Sequence, residues 1–206
     1  MSYIAPQKDM LFVLEHIAHM PQIMQDTAMD LDMETVAGIL DEAAKLNQDV
    51  IAPINRIGDE QPSFLKDGKV TTSPGFKAAF EQYVQGGWQG LSHPEDVGGQ
   101  DLPKLIATAC NEMINAANTS FGLCPLLTDG AIEAVLTAGS EAQKHTYIPR
   151  LISGEWTGTM NLTEPQSGSD LALIRSRAEP QADGRYKVFG TKIFITFGDH
   201  DYTDNI

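Results

Sequence analysis

The hydrophobic period of this chain changes once, near Gly154, and that change limits the possible folds more than any other feature. Before it, apolar residues recur at i, i+3, i+4 and i+7, which places them on one face of a helix. After it come short extended runs separated by glycine turns. Residues 8–19 carry Met10, Leu11, Leu14 and Ile17 in helical register, with Pro21 as the expected stop. Residues 32–50 set Val36, Ile39, Leu40, Ala43 and Val50 on one face, with Pro53 as the stop and a polar loop following. Ser73-Pro74 reads as an N-cap with proline at the first helical position, and Phe76, Ala79, Phe80, Tyr83 and Val84 form the stripe behind it. Helices over 102–118 and 126–137 follow. Ser140 and Gln143 then have the spacing of a capping box, opening a short helix that Pro149 closes.

Beyond Gly154, residues 157–163, 174–179, 186–189 and 192–196 read as strands, with Asp183-Gly184 as a hairpin turn between the second and third. The fold class is α+β: an all-α part followed by the start of a β-domain. Strands this few leave an exposed edge and an incompletely buried face, so the expectation is part of a larger design. The boundaries fall at 1–34, an N-terminal extension with one helix; 35–155, a helical domain; and 156–206, a partial β-domain.

Charge and cysteine usage narrow the function. A formal charge of −14 repels phosphate backbones, so nucleic acid is not an expected partner. The basic residues Arg175, Arg177, Arg185, Lys187 and Lys192 do gather near the C-terminus, where a few placed cations would serve an anionic ligand. Cys110 and Cys124 make no disulfide framework, and the five histidines show no metal-ligand spacing. No metal is expected. No charged-then-apolar leader and no bilayer-length apolar run is evident, which leaves the cytoplasm as the default location and no integral membrane segment.

The stretch with chemical potential is 160–170, Met-Asn-Leu-Thr-Glu-Pro-Gln-Ser-Gly-Ser-Asp. Its small residues let backbone N–H groups and hydroxyls approach an anion, although a surface turn with Asp170 capping the next element explains the same composition. If 192–196 is a strand, Phe194 and Thr196 project on one face, an aromatic beside a hydroxyl. That pairing suits a flat heteroaromatic ring with hydrogen-bonding edges, and the Ser-Gly-Ser loop could hold an attached phosphate.

These residues carry a resemblance. The helical first part, Gly-Glu-Trp at 154–156, the 160–170 stretch, Asp-Gly at 183–184, Tyr186 and Gly-Thr-Lys-Ile-Phe-Ile-Thr at 190–196 closely resemble the acyl-CoA dehydrogenase family of flavoproteins. The opening over 6–12, with Asn161 and Gln166, resembles the subgroup with an extra N-terminal segment, which includes 3-methylthiopropanoyl-CoA dehydrogenase-like enzymes. The resemblance implies a helical N-terminal domain, a β-barrel-like middle domain and a C-terminal helical bundle, with FAD between the last two. It implies oxidation of acyl-CoA to trans-2-enoyl-CoA, by α-proton abstraction and β-hydride transfer to flavin N5, with an electron-transfer flavoprotein as acceptor and a homo-oligomer when full length. By motif match, Met160, Leu162 and Thr163 would contact the isoalloxazine edge, while Gly168 and Ser169 would lie by the pyrophosphate, Ser169 also at the thioester. Phe194 stands where the family often has Trp, against the flavin, and Thr196 would hydrogen-bond near N5. The family's glutamate base lies in or beside the C-terminal bundle, which is absent here. The expectation is therefore an N-terminal fragment with no catalytic base of its own. The alternative is a non-catalytic helical interaction module of the same descent, without flavin.

Overall fold

A computed structural model describes residues 3–27 and 29–206; residues 1, 2 and 28, all in the predicted N-terminal extension, lie outside that description. Helix α1, Gln7–Phe12, continues through a π-helical turn at Val13–Ile17, burying Met10 and Leu14. His19 then turns left-handed (φ 52°) and α2, Met20–Asp26, starts with Pro21 in its first turn. The expected stop is thus a start, because proline's missing N–H falls where no intrahelical bond would form. The extension holds two helical segments rather than one.

Helix α3, Met33–Leu46, opens at Asp32, whose carboxylate accepts the Thr35 N–H at 2.7 Å. Pro53 does not end it. A π-helical turn at Asn47–Ile51 leads into α4, Ala52–Glu60, with Pro53 in the first turn. The widened turn accommodates the missing donor. Part of the predicted loop is a hairpin, β1 Phe64–Lys66 with β2 Lys69–Thr71. Its two-residue turn is Asp67-Gly68, both left-handed (φ 51° and 75°), the geometry that matches strand twist. Helix α5, Phe76–Gln85, begins after left-handed Gly75, so Ser73 caps nothing with its side chain.

Helix α6, Lys104–Ala138, merges the two expected central helices. They meet at Asn118, whose backbone is non-helical (φ −163°, ψ 90°) and whose Oδ1 accepts the Phe121 N–H at 3.1 Å. The second half therefore begins before the predicted Leu126 and carries Pro125 inside it. Helix α7, Glu141–Ile152, opens with the expected Ser140–Gln143 capping box and runs past Pro149.

Three apolar clusters hold these helices together. Met10, Leu14, Met20, Leu40, Ile106 and Met113 join the extension to α3 and α6. Ile51, Phe76, Phe80, Tyr83 and Phe121 form the second, joined by Tyr202 from the far end of the chain. Ile132, Ile148, Leu151 and Ile152 join α6 to α7. By length and composition alone α6 could cross a bilayer, which corrects the expectation that no apolar run is long enough. Its apolar positions supply side chains to all three clusters.

After Gly154 the described ladder is one antiparallel ribbon, β3 Arg177–Pro180 with β4 Tyr186–Phe189, in register Arg177↔Phe189 to Pro180↔Tyr186. Gly184 (φ 81°) sits in its turn, as the sequence predicts. The ribbon is almost wholly exposed. Residues 157–163 and 192–196 lie outside any strand, so two of the four predicted strands do not form.

Candidate functional site

Two segments that are far apart in sequence run side by side here. The Ile193 N–H donates to the Thr163 carbonyl at 3.0 Å. The Thr159 hydroxyl donates to the Thr196 carbonyl at 2.6 Å. These are isolated links rather than a ladder, because Phe194 has φ 56°, a left-handed conformation outside the β region. The predicted shared strand face of Phe194 and Thr196 therefore does not exist. Both residues are nonetheless exposed, Phe194 at 86%, and Met160 on the paired segment is 58% exposed. Leu162 and Thr163 are half-buried.

The 164–170 loop is a tight turn. Glu164 and Ser167 exchange backbone hydrogen bonds of 2.8 and 3.0 Å across Pro165-Gln166. The Ser167 hydroxyl donates to the Asp170 carbonyl at 2.7 Å. The Asp170 carboxylate accepts the Ala172 N–H at 3.1 Å, capping a 3₁₀ turn at Leu171–Leu173. So the turn-and-cap reading of this composition holds. Gly168 and Ser169 remain exposed at its tip, and a Cβ built on Gly168 would meet nothing closer than the Thr163 Cγ2 at 3.7 Å.

Glu164 anchors the loop, a role the sequence did not disclose. Its carboxylate is buried and accepts from the Arg175 N–H at 2.8 Å, the Ser176 N–H at 3.0 Å, the Lys192 ammonium at 2.8 Å and the Gln166 amide. Lys192 first, then the donors at Ser176 and Arg175, holds this carboxyl well below the usual carboxylate range. Gly190 (φ 152°) lets this corner close, because any Cβ there would overlap the Ser176 hydroxyl.

The C-terminal cations are largely engaged locally. Arg177 pairs with Glu179 at 2.9 Å, and Arg185 with Asp183 at 2.6 Å. Arg177 and Lys187 also lie over the Phe189 ring, at 4.6 and 5.3 Å from its centroid. Cys110 and Cys124 are free and buried, and burial pushes both thiols up to about 12. Among the described residues no group of His, Cys, Asp and Glu is arranged to hold a metal. One open depression, of about 600 Å³, is lined by Pro21, Met24, Leu31 and Met33, none of them a motif residue. Of the motif residues, Met160, Gly168, Ser169, Phe194 and Thr196 are exposed, and Leu162 and Thr163 are half-buried.

Residues 34–155 match the family model for the acyl-CoA dehydrogenase N-terminal domain. A 3-methylmercaptopropionyl-CoA dehydrogenase of Ruegeria pomeroyi is 48% identical over all of this chain and 35% of its own length. A butyryl-CoA dehydrogenase of Syntrophomonas wolfei is 30% identical over all of this chain and 34% of its own. The crystal structure of an acyl-CoA dehydrogenase complexed with FAD from Bacillus anthracis shares the fold, with TM-score 0.66 at 24% identity over 81% of this chain and 27% of that one. The chain belongs to the acyl-CoA dehydrogenase family. It spans about a third of the length of the curated relatives it matches.

Proposed function

We propose that this chain supplies one wall of the flavin site of an FAD-dependent acyl-CoA dehydrogenase, which oxidises acyl-CoA thioesters to trans-2-enoyl-CoA and passes electrons to an electron-transfer flavoprotein. The observation that carries this is the pairing of 159–163 with 193–196, which leaves Met160, Phe194 and Thr196 exposed on adjoining segments. That arrangement fits a flat, partly polar ring. Met160 and Phe194 would pack on it, and Leu162, Thr163 and Thr196 would meet its edge. The uncrowded tip at Gly168 and Ser169 suits a pyrophosphate, with Ser169 also near the thioester. FAD, when bound, supplies the redox chemistry by accepting the hydride. The residues of this chain bind and orient; none is assigned to proton abstraction. Glu164 is excluded from that role by its own engagement, since a base must be free to take a proton and this carboxylate is held by Lys192 and backbone donors.

FAD titrated into the purified chain tests the reading. A saturable change in flavin fluorescence is expected, weakened by roughly tenfold in Phe194→Ala, the loss of one aromatic packing surface. Thr196→Val should weaken it less. A flavin signal that never responds to the protein would overturn the proposal.

A further inference from the structure

Among the described residues Glu164 is the one buried acidic side chain, at 4% exposure, and the flavin reading gives it no contact with the ring. Burying a carboxylate is unfavourable unless its lone pairs are matched. Here they are matched by donors from separate stretches: Gln166 within the turn, Arg175 and Ser176 after it, and Lys192 on the second segment. The same ammonium also donates to the Leu162 carbonyl at 2.9 Å. Immediately beyond lies the Ile193 N–H to Thr163 carbonyl bond at 3.0 Å. Lys192 thus grips the first segment twice, once at its backbone and once at its carboxylate.

We propose that Glu164 is a positioning residue of the flavin wall: through Lys192 it sets the register of 160–163 against 192–196, so that Thr163 and Phe194 meet the same ligand. This rests on the flavin reading above. The two segments lack a ladder, so few backbone bonds resist a slip between them. A one-residue slip would carry Phe194 along its segment while the turn at Pro165-Gln166 stayed in place. The Glu164–Lys192 pair is half shielded, with Lys192 24% exposed and Glu164 3% at the side chain, so solvent screens it less than a surface pair.

Glu164→Gln keeps the size and removes the charge. The discriminating measurement is amide hydrogen exchange at Ile193, whose bond Glu164 does not make. Exchange there should quicken by about tenfold, the loss of one charge-assisted bond, and the FAD dissociation constant should rise by a similar factor. The Phe121 amide in α6 should keep its rate. Lys192→Met should act in the same direction and more strongly, because it also removes the Leu162 carbonyl bond, and the double variant should be no more severe than Lys192→Met alone, because both changes remove one coupled pair. A variant that merely loosened the turn would speed Arg175 and Ser176 but leave Ile193 alone, and that result overturns the proposal. Additive losses in the double variant would do so too. If Ile193 responds to both substitutions but the unaltered chain binds no FAD, the register role stands and the flavin reading is what falls.

Discussion

Asn118 shows how much one side chain decides in this molecule. Its Oδ1 accepts the Phe121 N–H, while its Nδ2 donates to the Ile51 carbonyl at 3.4 Å in the turn before α4. One buried amide therefore caps the second half of α6 and ties it to another helix. Asn118→Ala is expected to cost about 1–2 kcal/mol, a lost cap in a site water does not reach, read as a lower urea midpoint. Asparagine as an N-cap is legible in sequence; its burial is not, and a 102–118 helix followed by a separate start at 126 is the error that results. Glu164 repeats the lesson. The charge is plain in the sequence, but its partners lie 11, 12 and 28 residues away along loops whose path no periodicity encodes. The motif residues themselves were legible only because Met160–Thr163 and Phe194–Thr196 carry a recognisable order. The left-handed backbone at Phe194 and the pairing of the two segments were not.

At the scale of elements, residues 199–206 are tied to the helical half. Tyr202 stacks on Phe80 with centroids 5.0 Å apart, and Asp201 accepts from the Thr72 backbone and hydroxyl. The Thr157 N–H donates to the Asn205 carbonyl at 3.2 Å. His200 sits between them. Its Nδ1 accepts the Tyr202 N–H at 3.1 Å, which leaves Nε2 to carry the proton donated to the Thr157 hydroxyl at 2.9 Å. Burial lowers this imidazole below its usual 6.5, with Asp201 and Asp199 opposing in part. The folded form holds His200 neutral, so below that value the unfolded chain binds the extra proton and docking weakens as pH falls. Exchange at Tyr202, corrected for intrinsic rate and compared with amides in α6, should quicken as pH drops through this window. His200→Gln should flatten the response. Glu164 acts in a lower window: its carboxyl is depressed, so its stabilisation is present above the ordinary 4.5 and is lost only as the medium becomes strongly acid.

For the molecule as a whole, α6 is the common member of all three apolar clusters, so the helical half should unfold as one unit. Met113→Ala and Ile132→Ala, at opposite ends of α6, should each cost about 2–5 kcal/mol and lower the same single denaturation transition. Two separate transitions would mean the clusters are independent. The core stripes behind this were legible, since Met10, Leu14, Val36, Leu40, Phe76 and Phe80 are buried where their spacing puts them. The π-turns that carry the chain past Val13 and Pro53 were not, because packing against neighbouring helices sets them. The exposed side chains after Met160 have a consequence for handling this protein in solution. Met160, Leu171, Leu173, Val188 and Phe194 offer adhesive surface, while a net charge of −14 pushes copies apart. Raising salt from about 0.1 M to about 1 M shortens the reach of that repulsion from about 10 Å to about 3 Å. The colloidal behaviour of the chain is therefore expected to follow ionic strength: light scattering should stay low in dilute buffer and rise in concentrated salt.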